Sequence, residues 1–457
     1  MDSMEDERGK IPNLIQIGAI KSDTAMDMDQ EVLDPVVNND NFARFVLSNK
    51  GFLHSFSKIT IGLNATSTSG LTEATLPANI GIHSLVQRCA LRIGTTIVAE
   101  TDDFNFWMGY KSLFIDNEIN KERETYLTSR IIAHDFVYDE GETINASRYG
   151  LNTNLEYDTT ANILQPQKEL QIGNGPVFQI SVADLFPFLR FNQLPLYMID
   201  QQISIDLHFS PSVDLNRCSL DNGTASGELF TIDTTQTKFV ASYIYYDGDL
   251  MEKYREQNPV LNWTYNDYRL NKRSYSNTAL QQQQILEVGG AGRLVSKVIT
   301  ALEKSTTTPD KQIDNAYESH APDVNSNNNG LFTTNLIYND HRMYPIDRSN
   351  PSLHFHDLVQ AEQNVPHIAR QEFNKQGGGL TASTYNGNTQ SSSTSGLNGK
   401  FHYIAYRPNR NERVNSKGIQ LQLQYSKLGA GTYIHRAWLE IVKTATLERG
   451  IFSTDFS

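Results

Sequence analysis

Cysteine is nearly missing from this chain: only Cys89 and Cys218 occur in 457 residues. Two thiols cannot build the disulfide framework that holds small secreted modules together. Cys89 lies in an alternating apolar run and Cys218 in a polar loop, so both are read as free thiols of a protein made in a reducing compartment. Long apolar runs are also missing. No stretch of about 18 apolar residues occurs, so no membrane-spanning helix is expected. Met1 to Lys10 is charged and lacks the apolar centre of a signal peptide. Four Asn-x-Ser/Thr sequons, at Asn64, Asn145, Asn222 and Asn262, are therefore read as chance matches in an Asn-rich chain. Basic excess is absent: 39 Lys and Arg face 52 Asp and Glu, a formal charge of −13. So acidic a surface repels phosphate backbones and is not expected to wrap nucleic acid. Ala-rich and Leu-rich helical stretches are scarce.

Aromatic and β-branched residues are plentiful, with 21 Tyr and 21 Phe. Such side chains suit pleated, half-buried surfaces. Strict alternation appears at Ile59-Ile61-Leu63, Cys89-Leu91-Ile93, Ile203-Ile205-Leu207-Phe209, Phe239-Ala241-Tyr243-Tyr245 and Ile419-Leu421-Leu423-Tyr425. Period two places one face of each strand on a core, as antiparallel sheets require. Helical signals are few. Val182 to Phe191 is one, with Ser181 as N-cap and Pro187 disturbing its interior; Asp249 to Gln257 is another. Residues 146–176 and 376–400 are rich in Gly, Asn, Ser and Thr and read as long loops. The basic groups Arg269, Lys272 and Arg273, and Arg407, Arg410 and Arg413, read as solvated loop charges.

A faint internal repeat organises the rest. Ile203–Phe209 is followed, after a polar loop, by the strand Lys238–Tyr246 and a charged tail from Asp247 to Arg255. Ile419–Tyr425 is likewise followed by Tyr433–Val442 and a tail from Lys443 to Arg449. Leu91–Ile97 and Leu336–Tyr344 both read as strand, polar turn, strand. Two copies of one β fold are expected, dividing near residues 250–260. Residues 1 to about 30 are acidic and Met-rich, and read as an arm.

The run from Val177 to Phe209, with Leu194-Pro195-Leu196 leading into the strand Ile203–Phe209, resembles major capsid proteins of nucleocytoplasmic large DNA viruses. The Tyr-rich strand and charged stretch Phe239–Arg255 also resembles that family, as does Leu336–Arg342 followed by Leu353-His-Phe-His356, read as a further strand. The acidic start and Asn-rich loops look more like those of polinton-like viruses or virophages. The resemblance implies an all-β fold: two consecutive eight-stranded jelly-roll β-sandwiches with a few short helices in loops. The domains expected are an arm over 1–31, a first jelly roll over 32–252 and a second over 253–457. The implied function is structural and not enzymatic: a homotrimeric, pseudo-hexameric capsomer of an icosahedral shell enclosing DNA. Its implied partners are itself, neighbouring capsomers, penton and minor capsid proteins and an inner membrane, with no sequence-specific nucleic acid. Its place is the virion, after assembly inside the host cell. The arm is expected to order only on assembly. The competing class is a β-sandwich carbohydrate-binding protein or glycoside hydrolase.

None of the candidate sites is expected to be catalytic, cofactor-binding or metal-binding. Gly290-Ala-Gly292 lacks the third glycine of a dinucleotide fingerprint and reads as a turn into a strand from Leu294 to Leu302. His354, His356 and Asp357 could form half a metal site on a strand face, but no further ligand is evident. Asp102-Asp103 and Asp247/Asp249 are acidic pairs that suit turns as well as a divalent ion. No Gly-x-Ser-x-Gly elbow occurs. Trp107, Trp263 and Trp438 are too few for a sugar platform, and Trp438, beside Leu439 and Ile441, reads as core.

Overall fold

In the computed structural model, the described residues are 26–66, 80–112, 127–128, 156–158, 163–166, 177–191, 194–210, 229–277, 282–304, 332–345, 347, 351–362, 404–408, 412–425 and 431–456. The first half contributes β1 (Met26–Leu33), β2 (Val37–Asn39), β3 (Phe42–Leu47), β4 (Phe52–Leu53), β5 (Lys58–Thr66), β6 (Val86–Ile93) and β7 (Thr96–Asp102). Helix α1 (Phe104–Ser112) and the hairpin of β8 (Glu156–Asp158) and β9 (Ile163–Pro166) follow. Then come β10 (Val177–Ser181), α2 (Val182–Leu185), α3 (Phe188–Phe191), β11 (Leu194–Pro195), β12 (Ile203–Phe209) and β13 (Leu229–Tyr246). Helix α4 (Gly248–Gln257) separates these strands from β14 (Val260–Asn277), β15 (Gln282–Gly289), β16 (Val295–Lys304), β17 (Phe332–Tyr338) and β18 (His341–Arg342). Helix α5 (Pro351–Ala361), β19 (Ile404–Tyr406), β20 (Ile419–Tyr425), β21 (Gly431–Glu448) and β22 (Ile451–Phe456) complete the second half.

Among the described residues, each sheet draws its strands from one half of the chain. In the first half, one sheet runs β10-β5-β13 with β1 on the far edge of β13, and the other runs β3-β12-β6-β7. In the second half the orders are β19-β16-β21-β14 and β15-β20-β17-β18. These are the same two orders. Each half therefore holds a pair of four-stranded antiparallel sheets, which is the jelly-roll arrangement. The short strands β2, β11 and β22 are added at the edges, and the two-residue β4 lies between β13 and β11. The sequence echo coincides with this repeat. Strands β12 and β20 are inner strands of one sheet, and β13 and β21 of the other. The turn between β17 and β18 puts Asn339 and Asp340 at φ +51° and +65°, the backbone of a two-residue hairpin.

Alternation is obeyed where a sheet has one core. Ile59, Ile61 and Leu63 are fully buried, as are Leu421, opposite Leu336, and Leu423, opposite Thr334. The predicted helix over 182–191 is present but broken. Ser181 Oγ accepts from Ala183 N at 3.2 Å, and the chain interrupts the helix at Phe186 and Pro187. Asp247 caps α4 by accepting from Asp249 N at 3.0 Å.

Several expectations need correction. Residues 26–31, assigned to the arm, form most of β1 and pair along β13 from Met26↔Tyr246 onward; residues 1–25 lie outside the described residues. Leu353–His356 is not a strand but part of helix α5. The tail at Lys443–Arg449 is strand: β21 continues to Glu448, in register with β14 throughout. Arg269, Lys272 and Arg273 lie on β14, not on a loop. The loop 376–400 lies outside the described residues.

Candidate assembly surfaces and the seam between the rolls

Gly289, Gly290 and Gly292 all have positive φ, between +74° and +91°, and turn β15 into β16 with no helix following. Gly292 N donates to Val414 O at 2.8 Å, which closes the turn on the protein's own backbone. The metal reading of His354 and His356 rests on a strand, and the segment is instead helix α5. His356 is exposed whereas Asp357 is buried. Asp247 is spent as a helix cap. Cys89 is a buried free thiol that burial pushes up, the reverse of a reactive thiolate; Cys218 and Arg410 lie outside the described residues, and Arg407 and Arg413 are exposed. All three tryptophans are buried.

Most of the buried charge among the described residues lies instead where the two rolls meet, Asp206 with Arg44 and Arg92 in the first roll being an exception. Strand β7 is the last strand of its sheet, and its outer backbone edge needs partners. Side chains of the second roll supply them. Tyr265 Oη donates to Val98 O at 2.6 Å. Lys443 Nζ donates to Ile97 O at 2.9 Å and Val98 O at 2.8 Å, and pairs with Asp267 Oδ2 at 3.1 Å. Asp267 Oδ1 accepts from Glu100 N at 3.1 Å. Trp438 Nε1 donates to Asp102 O at 3.1 Å. Burial pushes the Asp267 carboxyl above its ordinary value, with Lys443 and the Glu100 amide pulling the other way.

Two further clusters flank this one. Asp103, in the left-handed region at φ +47°, pairs with Arg436 Nε at 2.7 Å and Lys272 Nζ at 2.9 Å. Burial works against its charge, but the two cations outweigh it and hold the carboxyl low. The Arg436 guanidinium lies 3.7 Å from the Phe106 ring centre and also reaches Glu303 at 2.7 Å. Asp103 is thus committed to the seam rather than to an ion, while Asp102 pairs with Arg88 at 3.0 Å. In the third cluster, Lys297 Nζ sits 2.7 Å from Glu362 Oε1 and 3.3 Å from Glu440 Oε2. Tyr110 Oη donates to Glu362 at 2.7 Å and Tyr268 Oη to Glu440 at 2.9 Å. Burial raises both carboxyls, but Lys111 and Lys297 prevail and both end below the usual range. A glycosidase acid needs the opposite, a carboxyl held protonated near neutrality.

Apolar packing runs through the same seam. Trp263, Tyr265, Tyr268, Trp438, Leu447 and Phe452 of the second roll belong to the same buried cluster as the core of the first. Trp107 meets Tyr268 edge-on at 5.0 Å, and Phe188 meets Tyr265 at 4.4 Å. The second roll keeps a separate core around Leu336, Leu421, Leu439 and Ile441. The two lobes are therefore one block, not beads on a linker.

Sequence reasoning did not foresee the seam. Its signal was charge at strand positions: Arg436 and Glu440 flank Trp438 on one face of β21, and Lys443 sits in a register that otherwise points inward. A charged residue in a strand reads, on sequence alone, as a surface position.

Residues 36–247 match the family described as Major capsid protein N-terminus. The first half of the chain thus resembles the major capsid proteins, and the whole chain has the double jelly-roll fold. Solved structures agree on the fold. A structure of the Sputnik virophage aligns at TM-score 0.56 and 11% identity, covering 100% of this chain and 93% of that one. PBCV-1 VP54, fitted into a reconstruction of Sputnik, aligns at TM-score 0.55 and 11% identity, covering 96% and 99%. The mavirus major capsid protein aligns at TM-score 0.52 and 9% identity, covering 93% and 90%. No curated protein matches the sequence. The family match and the shared fold support a structural capsid role.

Proposed function

We propose that this chain is a major capsid protein that forms homotrimeric, pseudo-hexagonal capsomers and tiles an icosahedral shell around a DNA genome. The observation that carries the proposal is the repeat: two rolls of identical strand order, locked side by side in one chain. Three such blocks supply six similar lobes, and a head-to-tail contact that repeats by rotation closes into a ring. Its partners are further capsomers, penton and minor capsid proteins and an inner membrane, with no role in reading nucleic-acid sequence and no catalysis. Its place is the virion, after assembly inside the host cell. The proposed division is an arm, a first roll to residue 252 and a second roll from residue 253, with the arm shortened to residues 1–25 because β1 belongs to the first roll. Light scattering of the purified chain tests the oligomer, and negative-stain imaging tests its outline. The expected result is three chains with a hexagonal outline; a single-chain mass at every concentration overturns the proposal. Deleting residues 1–25 is expected to leave trimers intact and to impair shell formation.

A further inference from the structure

One strand position is built differently in the two rolls. In the second roll β16 runs along β21 as a single strand. In the first roll the corresponding line is interrupted. Strands β4 and β5 both pair with β13, and residues 54–57 turn out of the sheet between them. The adjoining strands β10 and β11 are parted at the same level by α2 and α3. Irregularities of this kind re-aim side chains at the cost of ladder bonds, so the groups that replace those bonds matter.

One imidazole and one hydroxyl hold the turn. His54 is 3% exposed, and its Nδ1 accepts from Phe56 N at 3.1 Å. A backbone amide can only donate, so Nδ1 carries no proton, Nε2 carries one, and the ring is neutral. The Phe56 ring, itself 58% exposed, lies edge-on to the imidazole at 4.3 Å. Ser57 Oγ donates to His54 O at 2.8 Å and accepts from Ser242 N at 3.0 Å. His54 N donates to Ser242 O at 2.9 Å, and Ser57 O accepts from Val182 N at 3.0 Å. The turn thus ties β13 to the first residue of α2. The chain passes from α2 into α3, where Phe188 meets Tyr265 of the second roll at 4.4 Å. Tyr265 is one of the donors to the edge of β7.

We propose that His54 is a pH-sensitive latch: a proton taken up at Nδ1 removes the acceptor of Phe56 N, opens the turn and loosens α2 and α3 from the second roll. A second proton on the ring can go only to Nδ1, where a donor then faces a donor. Burial is what holds the imidazole below its ordinary value; Lys58 on β5, Tyr243 and Tyr245 on β13, and Asp184 and Arg190 on α2 and α3 do not contribute. Opening the turn returns the ring to water and to a value near 6.5. The open state therefore binds the proton more tightly. The latch is fully closed above about pH 6.5 and weakens progressively as pH falls below it. This device does not depend on the trimeric reading, and it acts in the first roll, whereas His435 is buried in the second.

Hydrogen exchange read by mass spectrometry tests it on the full chain at fixed protein concentration, with each peptide normalised to its intrinsic rate at each pH. Between about pH 7.5 and about pH 5, protection of peptides covering residues 54–58 and 182–191 is expected to fall about tenfold in the parent, with roughly thirtyfold as the ceiling that proton linkage allows. Peptides of β12, in the facing sheet, are expected to keep their protection. His54→Asn keeps an acceptor at the Nδ1 position but does not titrate, so it should abolish the response, whereas His435→Gln should leave it in place. Equal protection of residues 54–58 at the two pH values in the parent would by itself overturn the latch, with no variant needed. Loss at 54–58 without loss at 182–191 would overturn the link to the seam. A response that survives His54→Asn would overturn His54 as the sensor.

Discussion

Lys443→Met gives the sharpest test of the seam between the rolls. The substitution keeps an unbranched stem of similar length and removes only the ammonium group. Lys443 Nζ has three partners: Asp267 Oδ2 at 3.1 Å, Ile97 O at 2.9 Å and Val98 O at 2.8 Å. Val98 O keeps Tyr265 Oη as a donor, but Ile97 O loses its side-chain donor. Asp267, only 3% exposed, loses its nearest cation. Removing one member of a buried pair costs roughly 3–5 kcal/mol, because the remaining charge stays desolvated. Part of that cost is relieved if Asp267 takes up a proton, since burial already pushes its carboxyl upward. The loss should therefore grow as pH rises through the range in which Asp267 ionises, and shrink on acidification. Asp267→Asn in the same chain removes the stranded charge and should return about half of the loss, a coupling of roughly 2 kcal/mol. Tryptophan fluorescence during urea unfolding is a direct readout, because Trp107, Trp263 and Trp438 all lie in the cluster that spans the seam. Protein concentration must be held fixed, since association adds to apparent stability. A loss under about 1 kcal/mol, or additivity of the two substitutions, would refute the view that Lys443 and Asp267 hold the rolls together.

Acid should weaken the second roll through His435. This side chain is buried beside Arg436, and burial pushes its imidazole from the ordinary value near 6.5 down to about 3. The unfolded chain then binds the proton first, so this contribution is complete above about pH 6.5 and is lost progressively as pH falls towards 3. At pH 5 the loss is about 2 kcal/mol, and His435→Gln should flatten the stability profile by about one proton between pH 6 and 4; an unchanged slope in urea titrations at several pH values would count against it. Gly450→Ala probes the clasp of the C-terminal hairpin on the first roll, where Asp200 N donates to Gly450 O at 2.9 Å. Gly450 has φ +83°, and an added Cβ would meet the Asp200 carboxylate. That carboxylate is largely exposed and can swing away, so the strain is mainly in the backbone and should cost about 1–2 kcal/mol. Asp200→Ala should not rescue it; full rescue would show that the side-chain clash dominates.

The strands were legible because their residues obey a period of two against a single core. Ile59-Ile61-Leu63 and Ile419-Leu421-Leu423 needed no tertiary knowledge. The repeat was legible for the same reason, as β12 and β20 are inner strands buried by a facing sheet. Helix α5 was not, because His354, Phe355 and His356 mimic alternation. The decisive pattern was longer. Pro351 opens the helix, where its missing amide costs nothing, and Asp357, Leu358 and Ala361 form a helical buried stripe. The seam was illegible in kind. Lys443, Arg436 and Glu440 are charged residues in strands, and their burial depends on a second lobe that arrives from more than 300 residues earlier in the chain.

Buried ion pairs are usually replaceable by well-packed apolar residues at little cost. The seam described here differs because its side chains have a second duty. Ile97 O, Val98 O and Asp102 O belong to the free edge of β7, and the donors that reach them are Lys443, Tyr265 and Trp438. An apolar seam would leave those carbonyls buried without partners, at about 1–3 kcal/mol each. Adding another strand would satisfy them but would merge the sheets and rotate one lobe onto the other. Long polar side chains projecting from β14 and β21 stop the edge while keeping the lobes side by side. The physical requirement is thus specific: a donor of the right length at three positions along one strand edge. Replacing Lys443 and Asp267 together with a matched apolar pair should consequently stay less stable than the parent, unlike an ordinary buried pair, and equal stability would show that the edge of β7 needs no donor there.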